Sequence, residues 1–202
     1  MKLRLLLTGF EPFGGSAVNP SEQVVRALVA APPAGIELHT AILPVERRGG
    51  PQALLLALQE TQPQAVLCLG EASNLAVISI ERVALNLLDF RIPDNAGAQA
   101  TDEPIVPGAP AAYFATLPVR RMLQAVEAAG VPVQLSLSAG AFLCNQVLYV
   151  LLHHLAEQNS QVPAGFIHLP ALPEQAAGKH PPIPSMSLGT MVMGMRAALA
   201  VL

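Results

Sequence analysis

Few side chains in this 202-residue chain can do covalent chemistry: two cysteines, Cys68 and Cys144, and five histidines. Cys68 lies inside AVLCLG, a short apolar run that reads as a buried strand, where a thiol is an inert core side chain. Cys144 lies in SAGAFLCNQVLYVLLHHL, where a glycine-containing turn becomes a long helix. A thiol there sees the positive end of the helix dipole, which favours thiolate. The free N–H groups of the first turn can also receive an oxyanion. Position alone leaves Cys144 two readings, a nucleophile and a buried cysteine at a helix start.

A thiol nucleophile needs a base. His39 alternates with Ile36, Leu38 and Thr40 on a strand-like run, and His153 and His154 lie two to three turns along the Cys144 helix, too far to reach the thiol. His180 belongs to the Pro-rich KHPPIPS loop. His168 ends the strand-like GFIH, the kind of position where catalytic groups collect in open α/β sheets; a satisfied core histidine is the competing account. The third group would orient the imidazole. Glu81 is a carboxylate inside an otherwise apolar stretch, and carboxylates are rarely buried without a partner. Arg82 should point to the opposite face of that strand, so His168, Arg91 or a backbone donor is left as the partner.

These groups need a frame. Leu3–Leu7, Ile36–Leu43, Ala65–Leu69, Val133–Leu137 and Gly165–His168 read as strands, and Ser21–Ala31, Pro51–Gln59, Val119–Ala129, Leu143–Gln158 and Leu188–Val201 carry apolar residues at helical spacing. Asn19-Pro20-Ser21 supplies a cap for the first helix and Gly130 a stop for the third. This alternation predicts an α/β fold, a mostly parallel sheet with helices on both faces. Residues 75–87 read as one further strand-like stretch, and residues 89–118 as a long Pro-, Gly-, Asp- and Asn-rich excursion.

Composition excludes several function classes. Charged residues are only 12% of the chain and the net charge is −3; lysines occur only at positions 2 and 179, so no nucleic-acid partner is expected. Mean hydropathy is +0.46, yet the best apolar stretch, Ala141 to Ala156, is broken by Asn145, Gln146, His153 and His154 and does not span a membrane. The apolar run at the N-terminus meets Glu11 too soon for a signal peptide. With two cysteines there is no disulfide framework, and a reducing, cytoplasmic setting is expected. So few charges predict that part of the surface is apolar and hidden in an oligomer. TGFEPFGG lacks the lysine and the spacing of a phosphate loop, and no His/Cys pair has zinc spacing. Neither a metal nor a cofactor is expected.

Four blocks in order, TGFEPFGG with Asn19-Pro20-Ser21, ERVALNLLDFRIPDNAG, SAGAFLCNQVLY and GFIHLPALPEQ, resemble the pyroglutamyl-peptidase I (pyrrolidone-carboxylate peptidase) family of cysteine peptidases. The resemblance runs to about Ser187 and implies one domain over residues 1–202, a three-layer α/β/α sandwich with a mostly parallel, mixed central sheet. It implies removal of N-terminal 5-oxoproline (pyroglutamate) from peptides, with Cys144 as nucleophile, His168 as base and Glu81 as orienting acid, the three residues that position singled out. It further implies that Phe10 and Phe13 clasp the lactam ring with Phe142 and Leu143 beside the nucleophile, that Asn19 and Glu71 lie at the substrate and Arg91 near the oxyanion, and that the enzyme is a homotetramer. One block departs from the family pattern. Gly70-Glu71-Ala72-Ser73-Asn74-Leu75 stands where the family reads G-Q-A-G-G-R, so a carboxylate replaces an amide near the lactam and a leucine replaces an arginine. This predicts retained activity with an altered KM or pH optimum. Two rival readings remain: a nucleoside-phosphorylase-like enzyme on a related sheet, disfavoured by the missing phosphate cradle, and a homologue that has lost activity and binds as an oligomer.

Overall fold

The structure is a computed structural model that describes residues 2–202. In chain order its elements are β1 (Leu3–Phe10), α1 (Pro20–Ala30), β2 (Ile36–Leu43), α2 (Gly49–Thr61), β3 (Ala65–Glu71), β4 (Ile78–Glu81), β5 (Val83–Leu85), β6 (Ala112–Phe114), α3 (Val119–Ala128), β7 (Val133–Ser136), α4 (Leu143–Glu157), β8 (Ala164–Leu169), α5 (Pro173–Ala176) and α6 (Leu188–Leu199). Six strands form the main sheet in the order β2-β1-β3-β8-β4-β7; β5 and β6 pair separately. Within the main sheet all neighbours are parallel except β4 and β8, which are antiparallel, as is the β5–β6 pair.

Alternation along the central strands sorts the core into two layers. Leu5, Leu7, Leu67, Leu69, Ile167 and Leu169 face one side and pack with Val24 and Leu28 of α1, Met122 and Val126 of α3, and Met191 and Met195 of α6. Leu6, Val66, Cys68, Ala164 and Phe166 face the other, against Leu54 and Leu58 of α2 and Val147, Leu148 and Leu151 of α4. Helix boundaries follow local chemistry. Asn19 caps α1, its Oδ1 accepting from the Ser21 backbone N–H at 3.0 Å, with Pro20 in the first turn. Gly130 takes φ 74° just after α3, a left-handed conformation that glycine adopts without cost.

The expected three-layer α/β sandwich is therefore present, and the element reading needs one correction. Residues 75–87 are not one strand: only Ile78–Glu81 joins the main sheet, and after Arg82 the chain leaves to pair β5 with β6. The Arg82 N–H donates to the carbonyl of Ser136, the last residue of β7, while its own carbonyl accepts from Ala115 N just beyond β6. One residue thus bridges both sheets, a long-range pairing that periodicity does not encode. The excursion over 89–118 contains β6 and is otherwise irregular.

Candidate active site

Register assembles the site before any side chain is considered. His168 on β8 pairs with Gly70 on β3 and with Ser79 on β4, and Ser79 pairs with Gln134 on β7. The next rung joins Cys68, Phe166, Glu81 and Ser136. Residues on one rung share a face, and this is the face covered by α4, whose first turn carries Cys144. Glu81 thus arrives on a strand running against β8, so the carboxyl-end rule that located His168 says nothing about it.

His168 Nδ1 lies 2.8 Å from Glu81 Oε1, with both side chains buried. Of the three partners open to Glu81 in the sequence, the structure selects His168. With Nδ1–H donating to the carboxylate, Nε2 is free for the thiol. Glu81 Oε2 is buried and has no partner among the described residues, so the carboxylate's charge is spent mainly on the imidazole. Burial alone would lower the His168 pKa; the adjacent Cys144, by its charge and by hydrogen bonding, and then Glu81 outweigh it and raise the group to about 10. Both neighbours thus favour a proton on the imidazole, between a sulfur and a carboxylate. Cys68 is the opposite case: burial pushes it up to about 12, against a smaller lowering by the nearby Thr8 hydroxyl, and it stays an uncharged core thiol.

Gly70 is a site residue that sequence reasoning missed. A Cβ there would lie 2.8 Å from Cys144 Sγ and 2.7 Å from the Phe166 ring, so only glycine leaves the thiol its seat. Nothing in AVLCLGEAS marks it, because the clash comes from α4 and β8. Asn145 was also passed over. Its Oδ1 accepts from Leu85 N (2.8 Å) and its Nδ2 donates to the carbonyls of Leu85 (2.9 Å) and Leu87 (3.1 Å), tying the residue after Cys144 to the end of β5 and the segment that follows it.

A cavity of about 460 Å³ opens over the triad and is lined by every sequence-derived site residue: Glu81, Cys144, His168, Phe10, Phe13, Asn19, Glu71, Arg91, Phe142 and Leu143. Phe142 is packed by Phe13, with centroids 6.3 Å apart, and by the buried Phe90, edge-on at 4.7 Å. Asn19 lines the wall, but its amide is engaged within the protein: Nδ2 donates to Glu11 O, and Oδ1 accepts from Ser21 N and Oγ. It acts there by holding the loop that carries Phe13. Arg91 is exposed on the rim and makes no ion pair among the described residues. Its loop is held by the buried Asp94, which accepts from the N–H groups of Arg47 (2.6 Å), Ala96 (3.0 Å) and Ala98 (2.8 Å).

Comparison with known proteins then decides the family. The family model described as Pyroglutamyl peptidase matches residues 3–202. The chain belongs to the pyroglutamyl peptidase family. It is 50% identical over 200 residues to the pyrrolidone-carboxylate peptidase of Gloeobacter violaceus, covering 99% of this chain and 97% of that one. It is 44% identical over 198 residues to the enzyme of that name from Yersinia pestis, covering 98% and 92%. Among solved structures it is similar to pyroglutamyl peptidase I of Bacillus amyloliquefaciens, with a TM-score of 0.93, 36% identity and coverage of 98% and 95%. It is also similar to a mutant pyrrolidone carboxyl peptidase of Pyrococcus furiosus, with a TM-score of 0.94, 40% identity and coverage of 98% and 97%. The family resemblance, the fold and the enzyme class read from the sequence stand.

Glu71, in the block expected to depart from the family pattern, has a protein partner. Glu71 is half-buried, and both its oxygens accept from Gln175 Nε2 at 3.1 Å. The same nitrogen reaches Ser16 Oγ and Val18 O, so one amide on α5 ties the carboxylate to the loop before Asn19. Burial raises the Glu71 pKa, and the Gln175 hydrogen bond works against that rise.

Proposed function

We propose that this member of the pyroglutamyl peptidase family is a cysteine exopeptidase that removes N-terminal pyroglutamyl residues, with Cys144, His168 and Glu81 as its triad. The observation that carries the reading is the buried 2.8 Å contact between His168 Nδ1 and Glu81 Oε1 beside Cys144. The Cys144 thiolate attacks the carbonyl carbon joining pyroglutamate to the next residue, forming the C–S bond and moving the carbonyl electrons onto oxygen. The Cys144 N–H at the start of α4 and the Arg91 guanidinium hold that oxyanion, each such donor being worth about 2.7–4 kcal/mol. Collapse expels the amine, which takes its proton from His168 Nε2 and leaves a thioester. His168 then draws a proton from water, whose oxygen attacks the thioester, releasing free pyroglutamate and restoring the thiolate–imidazolium pair.

Phe10, Phe13, Phe142 and Leu143 give the flat, neutral lactam an apolar slot, with Glu71 and the loop held by Asn19 at its polar edge. We read residues 1–202 as one such peptidase domain, acting in the cytoplasm as a homo-oligomer, a tetramer by family likeness. Exposed Leu56 and Phe114 support the assembly, and no helix among the described residues is long and apolar enough to cross a membrane. Light scattering that returned a monomer would remove the oligomer. Hydrolysis of pyroglutamyl-7-amino-4-methylcoumarin under reducing conditions tests the activity: wild type and Cys68→Ser cleave it and Cys144→Ser does not. An inactive wild type overturns the proposal.

A further inference from the structure

The cavity of about 460 Å³ is larger than a five-membered lactam needs, and its lining differs from one side to the other. The order of the strands beneath it is β1, β3, β8, β4, β7, with His168 on the middle strand. The apolar wall and Glu71 belong to β1 and the loop after it, the end of β3 and the start of α4. On the opposite side of His168 the lining changes character, to Ser79, Gln134, Ser136 and Ser138. Scission takes place between Cys144 and His168. With the ring on the β1/β3 side, the leaving amine and its peptide must lie over β4 and β7.

We propose that Gln134, oriented by Ser79 and flanked by Ser136, forms the subsite for the residue that follows pyroglutamate and holds it by hydrogen bonds to its main chain. Gln134 is placed by register beside Ser79, and its Nε2 donates to the buried Ser79 Oγ at 3.3 Å. That contact orients the amide, and its Oε1 is left without a partner among the described residues. Ser136 sits two residues on, on the same face, across from Glu81; its hydroxyl donates to Ser138 O (3.2 Å) and accepts from Ser138 N (3.1 Å), which leaves it one lone pair for a substrate N–H. The lobe offers hydroxyl and amide groups and no aromatic wall, and the only charged side chain on its strands' lining, Glu81, is occupied by His168. Such a surface suits a peptide backbone of any side-chain charge and gives little to an arylamide leaving group. Because β7 is the last strand of the sheet, the lobe opens outward and a longer peptide can continue past it.

This inference rests on the proposed triad, and its test separates the two. kcat/KM is measured for pyroglutamyl-alanine amide and for pyroglutamyl-7-amino-4-methylcoumarin with wild type, Gln134→Ala and Ser136→Ala. Gln134 is exposed on an edge strand, so its replacement should leave the fold intact. Gln134→Ala should lose about 3- to 10-fold on the dipeptide amide, mainly through KM, the range for one neutral hydrogen bond. It should change the coumarin substrate less than about twofold, and Ser136→Ala should show the same selectivity at smaller size. Equal losses on both substrates, or no loss on the dipeptide amide, overturn the subsite. Failure of wild type to cleave either substrate overturns the triad reading instead.

Discussion

Cys68 and Cys144 lie on the same side of the same sheet, yet they are chemically opposite. Cys68 is fully buried on β3 among Leu6, Val66 and Phe166, where burial outweighs the Thr8 hydroxyl and the pKa rises to about 12. Two residues further along β3, Gly70 opens the space that Cys144 Sγ fills from α4. There a helix start, an imidazole and a second-rank carboxylate converge. The difference teaches that the reactivity of a thiol here is set by its neighbours' charge and by one missing methyl group, not by burial as such.

Removing the thiols is the strongest way to break that contrast. Cys144→Ser should lower kcat/KM by on the order of a thousandfold or more, whereas Cys68→Ser should stay within about twofold and lose only about 1 kcal/mol of stability, as urea unfolding would read it. Similar losses in both variants would erase the distinction.

Next in size is Glu81→Gln, which keeps the shape and removes the charge. It should cost about 10²- to 10⁴-fold in kcat, as for other triads that lose the orienting acid. It also sharpens the electrostatics. His168 has a folded-state pKa raised from 6.5 to about 10, so its stabilising contribution is full below pH 6.5 and lost as pH climbs through about 10. Without Glu81 that window moves towards neutral pH, which iodoacetamide labelling of Cys144 and thermal unfolding, each followed against pH, would both report. An unmoved window would mean that Cys144 alone holds the proton.

Gly70→Ala should reduce kcat by about a hundredfold with little change in KM, because the added methyl displaces Sγ from its attack position; wild-type rates in this variant would show that the thiol has room to spare. The smallest effect belongs to Glu71, which does not touch the thiols. Its pKa is raised in the fold, so the stability it lends is present below the ordinary carboxylate range and is lost as pH rises through the folded value. Glu71→Gln should remove that loss and flatten the pH dependence of KM by a few-fold, read from steady-state kinetics between pH 5 and 8 at roughly half-unit steps. Unchanged KM and pH profile would show that Glu71 meets the lactam only through its backbone.

The sequence disclosed those parts of the molecule whose chemistry is local. Asn19-Pro20-Ser21 announced α1, Glu81 stood out as a carboxylate in an apolar run, and Cys144 was marked by the turn that precedes its helix. It concealed what depends on pairing. The antiparallel entry of β4 beside β8, the transfer between sheets at Arg82 and the rung that puts Gln134 beside Ser79 are all long-range registers. Gly70 was silent because its constraint is a neighbour's sulfur, and nothing in the irregular 89–118 stretch marked Asp94, which is buried and accepts three N–H bonds.

The central claim is that Cys144 becomes acylated by the substrate. Rapid acid quenching during turnover of pyroglutamyl-7-amino-4-methylcoumarin, followed by peptide mapping, tests it directly. The pyroglutamyl adduct should appear on the Cys144 peptide of wild type and Cys68→Ser and be absent from Cys144→Ser. Turnover with the adduct on Cys68 would contradict the account.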